Sequence, residues 1–199
     1  MDNCMDDKSA LLIVDLQNDF CPGGALGVSG GDEIVAVINR AIAHCISRRL
    51  PVIASRDWHP SKTTHFREFG GLWPPHCIRG TDGAEFHPEL RLPENVIVVS
   101  KGTDETHDDY SAFHARDSQG RRLAEILSSL GVSRLYICGL ATDYCVKETV
   151  LEAARHHIDI TVFTDAVRGV DLNPGDSAKA LAEMESSGAH FAEVLNLLE

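Results

Sequence analysis

The chain has 199 residues, of which 43% are hydrophobic and 24% charged, and a formal net charge of −12. That length suits one domain with a buried core of its own. The acidity argues against a nucleic-acid partner, which needs a concentrated cationic face, and no apolar stretch approaches the length of a membrane span.

The elements follow in chain order. Ala10 to Val14 is a short apolar run that predicts a buried strand. A Gly-rich loop follows from Cys21 to Gly31, and Ile34, Val35, Ile38, Ile42 and Ile46 then recur at helical spacing, with Asp32 as the expected N-cap. Pro51 to Ser55 predicts a second strand, a long loop-rich segment runs from Arg56 to about Pro93, and Val96 to Ser100 predicts a third strand. Leu123, Ile126, Leu127 and Leu130 mark a helix that stops at Gly131. Arg134 to Cys138 predicts a fourth strand ended by Gly139, and a helix should begin near Thr142 or Asp143. Ile158 to Phe163 predicts a fifth strand, Asp176 to Met184 a helix, and Ala189 to Phe191 a short final strand. Strands alternating with helices imply an α/β fold: three layers, doubly wound, with a mostly parallel sheet covered on both faces. No linker or repeat divides it, so residues 1–199 are expected to form a single domain.

In such sheets ligands bind beyond the carboxyl ends of the strands. There the first strand ends at Asp15, the second at Asp57-Trp58-His59, and the third at Lys101; the fourth is followed by Cys145. Cys145, about one turn into its helix, is expected to have its thiol pKa lowered by the helix N-terminus and further by Lys101. Asp15 could take the thiol proton and return it to a leaving group. Any one of these three alone would suit a core cysteine, a salt bridge or a strand-end carboxylate; together, on three strand ends, they point to catalysis.

Asp57 and His59, two apart on extended chain, can point to the same side. His65 and His76 follow in the long loop, and one carboxylate with two or three imidazoles suits one divalent metal ion: zinc, iron or manganese. The other histidines lack such a context. Gly27-Val28-Ser29-Gly30-Gly31 matches the nucleophile-elbow string, but a loop rather than a strand enters it, which rules out Ser29. The acidic N-terminus lacks a signal peptide's apolar core. A cytoplasmic location with six reduced cysteines, none spaced C-x-x-C, is therefore expected.

Blocks in order along the chain carry a resemblance: residues 14–20 (VDLQNDF), Asp57-Trp58-His59-Pro60, Trp73-Pro74-Pro75-His76-Cys77, Lys101-Gly102, residues 110–113 (YSAF) and 139–146 (GLATDYCV). From about Ser9 to His190 the sequence resembles the nicotinamidase/pyrazinamidase branch of the isochorismatase-like cysteine hydrolases. The resemblance implies a catalytic triad of Asp15, Lys101 and Cys145, and metal ligation by Asp57, His59 and His76. It implies a cis peptide before Ala141 and an oxyanion hole from the N–H groups of Ala141 and Cys145. It also implies a ring pocket lined by Phe20, Trp73 and Tyr110. Many relatives place a histidine six residues after the metal aspartate. Here that position is Thr63, and His65, eight residues after, is taken as the fourth ligand. The implied activity is hydrolysis of nicotinamide to nicotinate and ammonia through a cysteine thioester, extending to pyrazinamide and serving NAD salvage. Alternatives are a carbamoyl or ureido amidase on the same scaffold, whose members generally lack both metal blocks, and a non-enzymatic metal- or ligand-binding protein. Oligomeric state, a homo-oligomer included, stays open.

Overall fold

The computed structural model describes residues 5–197; Cys4, one of the six cysteines, lies outside them. Six parallel strands form one sheet in the order β3-β2-β1-β4-β5-β6. They are β1 (Ser9–Val14), β2 (Val52–Asp57), β3 (Ile97–Lys101), β4 (Arg134–Leu140), β5 (Asp159–Arg168) and β6 (His190–Ala192). The helices are α1 (Val35–Arg48), α2 (Leu123–Ser129), α3 (Lys147–Arg155) and α4 (Asp176–Ser186).

β1 is apolar over most of its length because it is buried on both faces. Leu11 and Ile13 pack on one side with Ile38, Ala41, Ile42 and Cys45 of α1. Ala10, Leu12 and Val14 pack on the other with Ile126 and Leu127 of α2, Val150 and Ala153 of α3, and Ala180 and Met184 of α4. The result is the three-layer, doubly wound architecture expected from the alternating pattern. The chain winds outward from β1 to β3, then returns to place β4 on the other side of β1. The strand order therefore reverses between β1 and β4, and a crevice opens at their carboxyl ends.

Several boundaries differ from the sequence expectation. α1 starts at Val35 with no side-chain cap. Asp32 instead gives its main-chain carbonyl to Val35 N, one of a pair of tight turns that lead into the helix. β4 does not end at Gly139 but runs through it to Leu140. Gly139 has φ 115°, and a Cβ there would come within 2.0 Å of Val14 O; the glycine serves close approach of two strands rather than a stop. β5 outlasts its apolar run because Val167 and Arg168 resume pairing, opposite Gly139 and Leu140, after an irregularity between Ile137 and Gly139.

After β4 the chain does not enter an α-helix directly. Thr142–Val146 forms a wide turn in which Val146 N donates to Ala141 O, five residues back, and α3 begins only at Lys147. Turns of this kind often accompany functional sites. Cys145 lies inside it.

Candidate active site

The carboxyl ends of four strands meet at Lys101, the last residue of β3 and 1% exposed. Its register partner on β2 is Asp57. Lys101 Nζ lies 2.9 Å from Asp15 Oδ2 and 3.4 Å from Cys145 Sγ, and donates a hydrogen bond to Asp57 Oδ1. Asp109 O is 3.4 Å away as a further acceptor. One cation is thus shared by two carboxylates and a sulfur, and one oxygen each of Asp15 and Asp57 with the sulfur lie within 4.8 Å of one another. The three residues read from separate strand ends are together.

Asp15 follows β1 with φ 48°, in the left-handed region, and is fully buried. Its Oδ1 accepts from Ser55 Oγ at 2.7 Å. Its Oδ2 has the ammonium beside it but receives no aligned hydrogen bond, which leaves it open to accept a proton. Burial raises the Asp15 pKa, and Asp57 adds to that, against the pull of Lys101. For Asp57, burial works in the same upward direction, but Lys101 and then His59 and His76 outweigh it and hold the carboxyl far below its ordinary range. Two neighbouring carboxylates are therefore pushed apart, one toward proton exchange and one toward permanent charge. Burial also works against the Lys101 ammonium, yet Asp15, Asp57 and Cys145 together keep its pKa well above that of a free lysine.

The expectation of a lowered thiol pKa at Cys145 is corrected. Burial pushes it up, Lys101 pulls it down, and the nearby Asp15 and Asp57 carboxylates push it up again, so the net shift is well above the ordinary value. The sulfur rests as a thiol and needs an adjacent base to become a nucleophile.

Beside this group stand three buried imidazoles. His59, His65 and His76 each present a ring nitrogen within 4.8 Å of the others. Asp57 Oδ2, the oxygen not used by Lys101, lies 3.6 Å from His59 Nε2 and 3.9 Å from His76 Nε2. Each ring is fixed through Nδ1: His59 to Gly102 O at 3.0 Å, His76 to Pro74 O at 2.8 Å, and His65 to Asp108 Oδ1 at 2.9 Å. Acceptors on Nδ1 require the N–H there and leave Nε2 as a lone pair. His59 Nε2 is buried without any hydrogen-bond partner, a cost that a cation would remove. Burial lowers the pKa of His76 to about 4 and also lowers that of His65, keeping both rings neutral and ligand-competent. The set of Asp57, His59, His65 and His76 fits a divalent metal ion. Gly102, at φ 63°, is required here, because a Cβ would lie 2.4 Å from His59 Cε1.

Phe20, Trp73 and Tyr110 line one narrow cavity together with Asp57, His65, His76, Ala141 and Cys145. Trp73 Nε1 donates to the Tyr110 hydroxyl at 3.0 Å. Leu26, Tyr144 and Val170 complete the wall; Tyr144 meets Trp73 edge-on at 5.0 Å. The Leu140–Ala141 peptide is cis. Wider depressions, such as that lined by Thr64, Leu72 and His107, do not include the thiol. Ser29 is exposed in a loop, as its rejection required.

Sequence inspection did not single out several supporting groups. Ser55 holds Asp15. Gln17 brackets the main chain of Asp57, donating to its carbonyl at 2.8 Å and accepting from its N–H at 2.7 Å. Asp108 holds His65. Gln17 lies inside a recognised block, but Asp108 sits in a polar loop with no pattern to mark it.

An isochorismatase domain model matches residues 9–196. The nicotinamidase of Escherichia coli K12 is 44% identical, covering 90% of this chain and 92% of that protein. A crystal structure of Pyrococcus horikoshii pyrazinamidase in complex with zinc superposes with a TM-score of 0.86 at 43% identity, covering 94% of this chain and 99% of that one. A crystal structure of PnC1 from L. infantum in complex with nicotinate superposes with a TM-score of 0.87 at 32% identity, covering 97% of this chain and 96% of that one.

Proposed function

From the premise that this chain belongs to the isochorismatase domain family, we propose that it hydrolyses nicotinamide to nicotinate and ammonia. The observation that carries the proposal is Lys101, whose ammonium touches Asp15, Cys145 and the metal-facing Asp57 at once. The kinship to nicotinamidases and to a nicotinate complex supports the substrate.

The ring enters between Phe20 and Trp73, with Tyr110 closing the wall. Asp15 takes the proton from Cys145 as the sulfur attacks the carboxamide carbon, and Lys101 stabilises the negative charge that develops on sulfur. The N–H groups of Ala141 and Cys145 receive the oxyanion, at about 3 kcal/mol for each donor. Asp15 then passes its proton to the departing ammonia, leaving a thioester on Cys145. Asp15 next takes a proton from a water whose oxygen bonds to the thioester carbon; the C–S bond then breaks, nicotinate is released, and Asp15 returns the proton to the Cys145 sulfur. A divalent ion held by Asp57, His59, His65 and His76 would supply a Lewis-acidic template that orients the ring; zinc is supported by the Pyrococcus relative, with iron and manganese suited to the same ligands. Pyrazinamide, differing by one ring nitrogen, fits the same chemistry.

We further propose a single domain over residues 1–199, supported by one continuous sheet, and a cytoplasmic site of action in NAD salvage. No helix among the described residues is long and apolar enough to cross a membrane. The five described cysteines are all unpaired thiols, which suits a reducing compartment.

The test is ammonia release from nicotinamide by purified protein, before and after chelation. Release that falls on chelation and returns with added zinc, iron or manganese supports both the nucleophile and the ligand set. No release with any of the three metals overturns the substrate assignment.

A further inference from the structure

The three imidazoles are not held alike. His59 and His76 rest on main-chain carbonyls, Gly102 O and Pro74 O. His65 alone rests on a carboxylate side chain, and that chain is 49% exposed while the His65 ring is only 4% exposed. Asp108 belongs to the segment that leaves β3. This segment is stitched to the chain before His65 by Thr64 N donating to Glu105 O at 2.8 Å and Thr63 Oγ1 to Asp104 O at 3.4 Å. Asp108 also lines a surface depression together with Thr64, Leu72, Thr106 and His107. The ligand set therefore has two sides buried in the fold and one side, His65, secured from solvent.

We propose that Asp108 is a positioning residue that governs how long the metal ion is retained. It holds His65 in the tautomer with Nδ1–H outward and Nε2 inward, and its charge makes that nitrogen a better donor to a cation. With its anchor in water, His65 is the ligand that disengages first. The proposal rests on His65 belonging to the ligand set, as proposed above.

Zinc-loaded protein is mixed with excess chromogenic chelator, and the rate of zinc transfer is followed. The wild type is compared with Asp108→Ala, Asp108→Asn, Asp108→Glu and His65→Ala, with thermal unfolding of each metal-free variant as a control. Removing an outer partner of a metal-bound histidine typically weakens metal binding by about 10- to 100-fold. Asp108→Ala is expected to accelerate transfer by about tenfold or more, with an unfolding midpoint matching the metal-free wild type. Asp108→Asn keeps an acceptor without the charge and should fall between. Asp108→Glu restores a carboxylate and should recover part of the retention. Transfer from Asp108→Ala within twofold of wild type, while His65→Ala releases zinc quickly, overturns this inference alone. Wild-type transfer from His65→Ala removes His65 from the ligand set and overturns the reading beneath it as well.

Discussion

Lys101 is buried and has no single partner, so its charge belongs to Asp15, Asp57 and Cys145 in common. Removing it would leave the buried Asp15 carboxylate without the cation beside it, and breaking such a buried pair costs about 3–5 kcal/mol. Lys101→Met is therefore expected to lose activity and also to unfold at markedly lower urea, whereas Cys145→Ala should abolish turnover and leave the urea midpoint near wild type. Turnover by Cys145→Ala would sink the thioester mechanism. As the proposed base, Asp15 should set the acid side of the pH profile. It acts as a base in its ionised form, and burial raises its pKa, so activity should fall as pH drops through a value above the usual carboxylate range. A kcat/KM profile at saturating metal checks this, and Asp15→Asn should cut kcat by about 100- to 10,000-fold. These residues could be singled out in the sequence because each lies at or just beyond the end of a strand, but the raised thiol pKa could not. It depends on how fully Cys145 is buried and on the Asp15 and Asp57 carboxylates brought close to it, and neither is a property of spacing.

The site's elements are held together by side chains that never touch the reaction. Asp19 accepts from Cys77 N at 2.7 Å through one oxygen and from Ala25 N at 3.1 Å through the other. It thereby joins the segment after His76 to the Gly-rich loop that supplies Leu26 to the pocket wall. Asp19→Ala leaves two N–H groups seeking partners, at about 1–3 kcal/mol each where they stay buried. A raised KM for nicotinamide and a lower urea midpoint are expected, and an unchanged KM would show that the two loops hold their places independently. Strands were the most legible elements, since continuous apolar runs such as residues 10–14 survive burial on both faces. Element ends were less so. Asp32 has the chemistry of a cap but spends its carbonyl on a turn, and Gly139 has the chemistry of a stop but permits contact with Val14. The wide turn at residues 142–146 leaves no mark in hydrophobic periodicity, because it changes a hydrogen-bond partner by one residue and little else.

At the scale of the whole molecule, the sheet order decides what can meet. That a parallel sheet was covered on both faces could be read from alternating runs, but the placement of β4 beside β1 could not. It is this placement that puts Cys145 over Asp15 while Asp57 and Lys101 arrive from the next two strands. The residues proposed to hold the ion come from the end of β2 and the long loop after it, from Asp57 to His76, so an ion bound there would add a further tie between segments already joined by His59 N donating to Cys77 O and Arg79 N donating to His59 O. A ligand that binds only the folded state stabilises it by about 2.7 kcal/mol at a concentration 100 times its Kd. For a domain of this size that corresponds to a rise of about 5–10 °C in the unfolding midpoint. Calorimetry with and without zinc should show such a rise for the wild type. His76→Ala removes one Nε2 donor and should lose most of that rise together with bound metal and activity. If His76→Ala keeps wild-type metal content, the four-ligand assignment is wrong at that residue. If the wild type gains no stability from zinc while activity still depends on it, the ion is bound too weakly to brace the loop, and its contribution is confined to the substrate.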